Sequence, residues 1–376
     1  MFAIMLRELR YLQRHKADFF MAIIAPLLVV ILFGSMFSAG KADHLPIVVI
    51  DQDQSEMSRN IIHSLGLNGT LSIKTITTRQ DEADQLINRT EAWGFVSIPE
   101  GAERRLVKAQ DAQISIAYNQ SFFSIGNTIS SAMMISTLSG ISDYLGQNHF
   151  ANVIPALEMP TPHIKISTLY NPAMSYELFL EPFMVPAVLH LLLCCCVAFA
   201  IGQEFKRNTL VAWINPQQII ATLLGKILVY VVIFCFWTAC WMFWLIHIRG
   251  YFVAGSLSLI LLAQFLLYFS YATISSTIVL ATQNLPKTFG FLAFYGGSSP
   301  SFSGITLPLN NAPAFTQFWS MIIPYTPYAK LQTEQWVIGS DLSVSLIPLG
   351  ILIIFAVLYF ALSLRLLKKI AQEHCS

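Results

Sequence analysis

The chain has 376 residues, of which 55% are hydrophobic and 11% charged, with a formal net charge of +1. Soluble domains carry roughly a quarter charged residues, so this composition excludes a water-soluble globule and requires the bilayer as solvent. A net charge this small offers no field for nucleic acid, and what charge can say lies in its placement along the chain.

Residues 1–18, with MLRELRYLQRHK, form a basic amphipathic lead. A helix crossing a hydrocarbon layer of ~30 Å needs about 20 apolar residues, and Phe19 to Ser38 supplies them as FFMAIIAPLLVVILFGSMFS. This run is too long for a signal peptide, and the following SAGKAD has no A-x-A cleavage site, so a retained first transmembrane helix is expected. Residues 41–177 are polar and long enough to be a domain. In it LPIVVIDQDQ, AWGFVSIPEG and AQISIAYNQS have the β-branched and aromatic content of strands. DQSEMSRNIIHSL and PEGAERRLVKAQ have helical spacing, and Asp53 with Glu56 has the form of a capping box. A longer helix is expected around Ser124 to Asn148, which makes the segment a small α/β or α+β domain.

Residues 178–364 return to membrane composition. Helices are expected near Leu178–Gly202, Ile219–Ile246, Ser256–Thr282, Thr288–Ile305 and Val344–Leu364, for six transmembrane helices in all. YGGSSPSFSG interrupts the fifth, so a broken helix and an outer segment are expected over 288–342. Backbone irregularity at membrane depth is tolerated only where protein or a cavity satisfies it. With the N-terminus inside, the cytoplasmic pieces, including the tail 365–376, carry Arg7, Arg10, Arg14, Lys16, Lys206, Arg207, Lys287, Arg365, Lys368 and Lys369. The short outer connections carry only Arg249 and Lys330. That bias puts both termini in the cytoplasm and 41–177 outside.

Most sequence signatures of chemistry fail. DQDQS at Asp51 to Ser55 begins like a calcium loop, but Glu56 and Ile62 stand where glycine and glutamate are required. LLGK at Leu223 to Lys226 lacks the upstream glycine and the following serine or threonine of a phosphate loop. Neither a nucleophile elbow nor H-E-x-x-H occurs. Cys194, Cys195 and Cys196 are adjacent and so point to three helix faces; they read as small apolar residues rather than a metal site.

Ionisable residues at membrane depth are costly and therefore candidates for function. His190 is the best placed, either as a contact in a transport path or, more commonly, as a histidine hydrogen-bonded to a neighbouring helix. Glu177 and Glu181 lie at the outer end of the same span, where interfacial solvation would make them cheap. The third span is crowded with aromatics, among them Phe234, Trp237 and Trp241, which either line a path for an amphipathic substrate or pack as membrane helices do.

A charged island, residues 203–218, joins the second and third spans. Glu204, Lys206 and Arg207 offer charge, Trp213 an anchor, and Pro216 a helix start. Such a connection suits docking on a partner, since interfaces favour tryptophan and arginine. It equally suits an amphipathic connector lying among anionic lipid head groups.

Several of these stretches resemble the permease subunits of type-2 ABC transporters, in particular the bacterial efflux group with a large periplasmic domain after the first span. LPIVVIDQDQSEMSRNII is similar to that group's opening strand and helix, and WGFVSIPEGAERRLV to its second signature. EFKRNTLVAWINPQQIIATLLGK resembles the family element that runs from a glutamate to a proline and a lysine: Glu204, Thr209, Pro216 and Lys226 match it. Asn208, Val211 and Trp213 stand where glycine, glutamate and leucine are usual. SPSFSGITLPLNNAPAFTQFWSMIIPYTPY resembles the family's broken fifth helix and outer amphipathic segment. The resemblance implies that the island, with Glu204, Lys206, Arg207, Thr209, Trp213, Pro216 and Lys226, seats on a separate ATPase subunit that holds ATP and magnesium. It further implies a second permease, identical or paralogous, and for this group a periplasmic adaptor and outer-membrane channel. The implied location is the bacterial inner membrane and the implied cargo an amphipathic or hydrophobic molecule. Mechanotransmission to periplasmic partners, or export of a lipid or lipid-linked glycan, are the alternatives.

Overall fold

The computed structural model describes residues 2–37, 43–119, 123–148, 175–207, 209–214, 216–306 and 308–375. The chain forms two compact units, one of residues 41–167 and one of the flanking segments Met1–Gly40 and Thr168–Ser376.

In the second of these, α1 (Phe2–Arg14) is amphipathic: Leu12 is buried and Met5 packs against the core, while Phe2, Leu9, Arg10 and Arg14 are exposed. His15 separates it from α2 (Lys16–Met36), which passes through a π-helical turn at Phe20–Ile24.

The unit 41–167 holds a four-stranded sheet in the order β2-β1-β3-β4. Its elements are β1 (Leu45–Asp51), α3 (Glu56–Leu67), β2 (Leu71–Thr77), α4 (Gln80–Asn88), β3 (Gly94–Ile98), α5 (Ala102–Val107), β4 (Ser115–Tyr118) and α6 (Phe123–Asn148). β1 pairs in parallel with β2 and β3, while β4 is antiparallel at the edge. β1 is apolar on both faces because both are covered, as parallel strands require. Ile47 and Val49 pack with Met57, Ile61 and Met133 from α3 and α6. Val48 and Ile50 pack with Ala83 of α4. α3 and α6 touch backbone to backbone at Gly140, where an added Cβ would sit 2.6 Å from the Ile61 Cα.

The expected Asp53–Glu56 box does not start α3. Ser55 is its N-cap and accepts the Ser58 N–H at 3.1 Å. Asp53 instead reaches across to the first turn of α5, accepting the N–H groups of Gly101, Ala102 and Glu103 at 2.7, 3.1 and 3.0 Å. Burial alone would raise this carboxyl, but bonds from Ser55 and the three backbone donors outweigh it and hold it below its ordinary value. The stabilisation is thus present above the unfolded pKa of about 4 and is lost as pH falls through the lower folded value. Asp53→Ala is expected to cost about 1 kcal/mol, as capping losses do. The check is faster deuterium uptake over Ala102–Val107 in the full chain at neutral pH; unchanged uptake would refute the cap.

The membrane unit resumes with α7 (Tyr176–Lys206), capped by Ser175 and carrying Pro182 and Pro186 inside it. A short α8 (Leu210–Trp213) and a 3-10 turn at Pro216–Gln218 lead to α9 (Ile219–Phe243), which continues as a π turn over Trp244–Ile248. α10 (Leu257–Thr282) is central and packs on α7, α9 and, after it, α11 (Leu285–Gly297). Small hydroxyl residues let its neighbours approach closely: Ser275 Oγ donates to the Cys194 carbonyl of α7 at 2.7 Å. α12 (Ser299–Phe302), α13 (Ala314–Ile322) and α14 (Tyr325–Thr333), extended by a π turn at Glu334–Ile338, precede α15 (Leu342–Cys375), whose Ser363 donates to the Thr273 carbonyl of α10 at 2.9 Å.

Five of these helices are long and apolar enough to cross a membrane: Lys16–Met36, Glu177–Lys206, Ile219–Ile248, Leu257–Thr282 and Leu342–Glu373. The fifth expected span, 288–305, is not one helix. α11 has 13 residues and α12 has 4, with the chain turning at Ser298. At 1.5 Å per residue α11 reaches only about 20 Å, and the Gly-Gly-Ser-Ser-Pro stretch breaks it there.

Candidate functional site

The island turns its chemistry inward. Glu204, near the end of α7, is 7% exposed and receives three groups. Thr209 Oγ1 donates to it across the turn, Lys226 Nζ of α9 lies 2.7 Å away, and Arg7 of α1 approaches to 3.5 Å. Lys226, 3% exposed, also meets Glu8 of α1 at 3.2 Å. Tyr230 donates to the other Glu8 oxygen at 2.8 Å. Trp213, 4% exposed, lays its ring 5.0 Å from the Lys226 ammonium, close enough for cation–π attraction. One buried lysine therefore holds two buried carboxylates from two helices, and α1, α7, α8 and α9 meet on it.

The expectation of one outward docking surface thus divides. Lys206 and Arg207 are exposed. Glu204, Trp213 and Lys226 are covered by this same chain, and Thr209 is half-buried. Asn208 lies outside the described residues, as do the side chains of Val211 and Pro216. The residues that sequence reasoning missed are Arg7, Glu8 and Tyr230. Glu8 had a signal: it sits between Met5 and Leu12 at helical spacing, on the apolar stripe of α1, where an acid needs a partner.

The four path candidates stand on two helices, His190 on α7 and Phe234, Trp237 and Trp241 on α9. His190 is wholly buried, with Nδ1 3.1 Å from the Pro186 carbonyl and Nε2 3.3 Å from that of Gly296. Its ring lies 4.1 Å from that of Tyr271. A neutral imidazole donates through one nitrogen only, and here it ties α7 to the end of α11. Phe234 and Trp241 are fully buried, Trp237 partly. Trp241 Nε1 donates to Glu181 at 2.9 Å.

Solvation does not account for the two acids of α7. Glu177 and Glu181 are both fully buried. Arg249 grips Glu177 through two bonds of 2.6 and 2.8 Å, and Tyr251 adds a third at 2.7 Å. The loop after α9 folds over the start of α7 and replaces water.

Five long apolar helices, the hydroxyl-rich α10 among them, with buried ion pairs near helix ends, define a multi-pass membrane protein. Within that class the chain belongs to the ABC-2 family transporter proteins, whose family model matches residues 16–365, nearly the whole chain. It is accordingly a membrane subunit of an ABC transporter. No curated protein and no solved structure matches it.

Proposed function

We propose that this chain is the permease subunit of an exporter that moves an amphipathic or hydrophobic molecule out of the cytoplasm or inner leaflet, driven by a separate ATPase. The observation that carries the reading is the buried Glu204–Lys226–Glu8 knot. It makes the exposed Lys206–Arg207 corner part of one body with α1, α7 and α9, so a push on that corner moves three helices together, as rigid-body switching requires. The subunit sits in the bacterial inner membrane with both termini cytoplasmic and 41–177 periplasmic, beside a second permease. An adaptor and outer-membrane channel complete the proposed assembly. The test is reconstitution with the partner ATPase in proteoliposomes. Export of an amphipathic dye should require ATP, and export that persists with a hydrolysis-dead ATPase would sink the proposal.

Charge reversal at the exposed corner tests the docking half by itself. Lys206→Glu with Arg207→Glu is expected to weaken ATPase association roughly tenfold, since exposed pairs contribute up to ~1 kcal/mol each. Membrane insertion should be unaffected, and undiminished co-purification would count against docking there.

Mechanotransmission is the second reading, favoured by the burial of His190, Phe234 and Trp241 inside one chain. It predicts ATP-dependent action on periplasmic partners with no dye accumulation.

A further inference from the structure

Beside the buried knot, α1 and the corner after α7 border a cavity of about 110 Å³. A water molecule's share of liquid volume is about 30 Å³, so the space admits a group of a few heavy atoms and not a whole lipid. Its polar wall is Arg7, Gln203, Glu204, Arg207, Thr209 and Lys226. Three cations, Arg7, Arg207 and Lys226, and one carboxylate, Glu204, line it, while Glu8 lies behind Lys226 and Asp18 beside Tyr11.

The donors left over for a ligand sit on the arginines. Lys226 is held at 2.7 and 3.2 Å by its two carboxylates. Arg7, with its side chain 48% exposed, meets Glu204 only at 3.5 Å and otherwise donates to the Ala212 carbonyl at 3.1 Å. Arg207 is exposed, lies over the Tyr11 ring at 5.3 Å and approaches His15 Nε2 at 3.3 Å. A guanidinium carries five N–H donors, so both arginines have donors left over. Two such forks on one small cavity form a donor set for a phosphate group, which accepts bidentate bonds.

The place of the cavity in the chain favours the bilayer as the source of such a phosphate. Lys226 belongs to the apolar helix Ile219–Ile248, which puts the cavity close to the end of a membrane span. α1 turns Phe2 (72% exposed) and Leu9 (40%) outward together with Arg10 and Arg14, the composition of a helix lying in the interface. Basic pockets between membrane helices take anionic head groups. We propose that this cavity binds a phosphate group, carried there by the head of an anionic phospholipid. The lipid would lie alongside α1 with its phosphate between Arg7 and Arg207.

The full-length chain in phosphatidylcholine nanodiscs doped with phosphatidylglycerol provides the test, with retained lipid counted by native mass spectrometry. Arg7→Gln with Arg207→Gln is expected to lower phosphatidylglycerol retention roughly tenfold, equal to about 1.4 kcal/mol. Both positions are exposed, and an unchanged thermal midpoint verifies folding. Lys368→Gln, at another exposed cation, should retain the lipid as the parent does. Equal retention in the parent and the double variant overturns the proposal, as does an equal loss in Lys368→Gln. Inorganic phosphate, followed by phosphorus NMR without anionic lipid, separates the sources. Arginine-dependent binding of it without selective lipid retention would overturn the lipid source and assign the cavity to soluble phosphate.

Discussion

Lys226→Met is expected to lower the stability of the chain by about 3–5 kcal/mol, the range for removing one partner of a buried charge pair. Methionine fills a similar volume, so the loss is electrostatic rather than a packing defect. Glu8 and Glu204 would remain, at 4% and 7% exposure, without the buried cation between them. Arg7 at 3.5 Å is half in solvent and compensates little. The measurement is the thermal unfolding midpoint of the detergent-solubilised chain, expected to fall by several degrees. Removing a carboxylate as well, in Lys226→Met with Glu8→Gln, should restore part of the loss, because the penalty lies in the uncompensated charge. The two changes would then be non-additive, as residues in one network are. An unchanged midpoint in the single variant, or a double variant weaker by the sum of two losses, would contradict the knot. Where folded Lys226→Met protein is recovered, α1 should no longer move with the island, and coupled export should fall more than insertion does.

The membrane spans were legible because the bilayer imposes a length that few other structures need, and each long apolar run became a helix. The break at Ser298 was legible for the same kind of local reason, through Gly296, Gly297 and Pro300. In the sheet unit β1, β3 and β4 announce themselves by β-branched and aromatic runs. β2 was not among the expected strands, since Ser72 and Lys74 interrupt its apolar positions and it lies at a sheet edge. What the sequence did not disclose is direction. Glu204, Trp213 and Lys226 are as charged or as bulky as any docking residue. Only the return of α1 onto α9, more than two hundred residues away for the Glu8–Tyr230 bond, shows that they face inward. His190 carried both readings in its sequence, and its neighbour, the Gly296 carbonyl, comes from a helix 106 residues later.

The same non-local logic makes Arg249 the second critical position. Arg249→Gln is expected to cost about 3–5 kcal/mol, because Glu177 is wholly buried and would keep only the Tyr251 hydroxyl as partner. Glutamine can still donate, so any surviving hydrogen bond separates geometry from charge. Glu181 cannot share the burden. It is also fully buried, one of its oxygens takes the Trp241 N–H, and the other has no hydrogen-bond partner among the described residues. Of these two acids one helical turn apart, Glu177 is the one bonded to the guanidinium, and loss of Arg249 leaves its carboxylate short of donors in an apolar setting. Glu177→Gln in the Arg249→Gln background should recover much of the stability, while Glu177→Gln alone should cost less than Arg249→Gln, because the guanidinium is partly solvated and the carboxylate is not. Because Arg249 stands in the turn between α9 and α10, loss of the clamp should free that turn from α7. Faster deuterium uptake over Arg249–Ser256 would report it. Midpoints that are equal for parent and Arg249→Gln, with that uptake unchanged, would show that the clamp does not hold the turn.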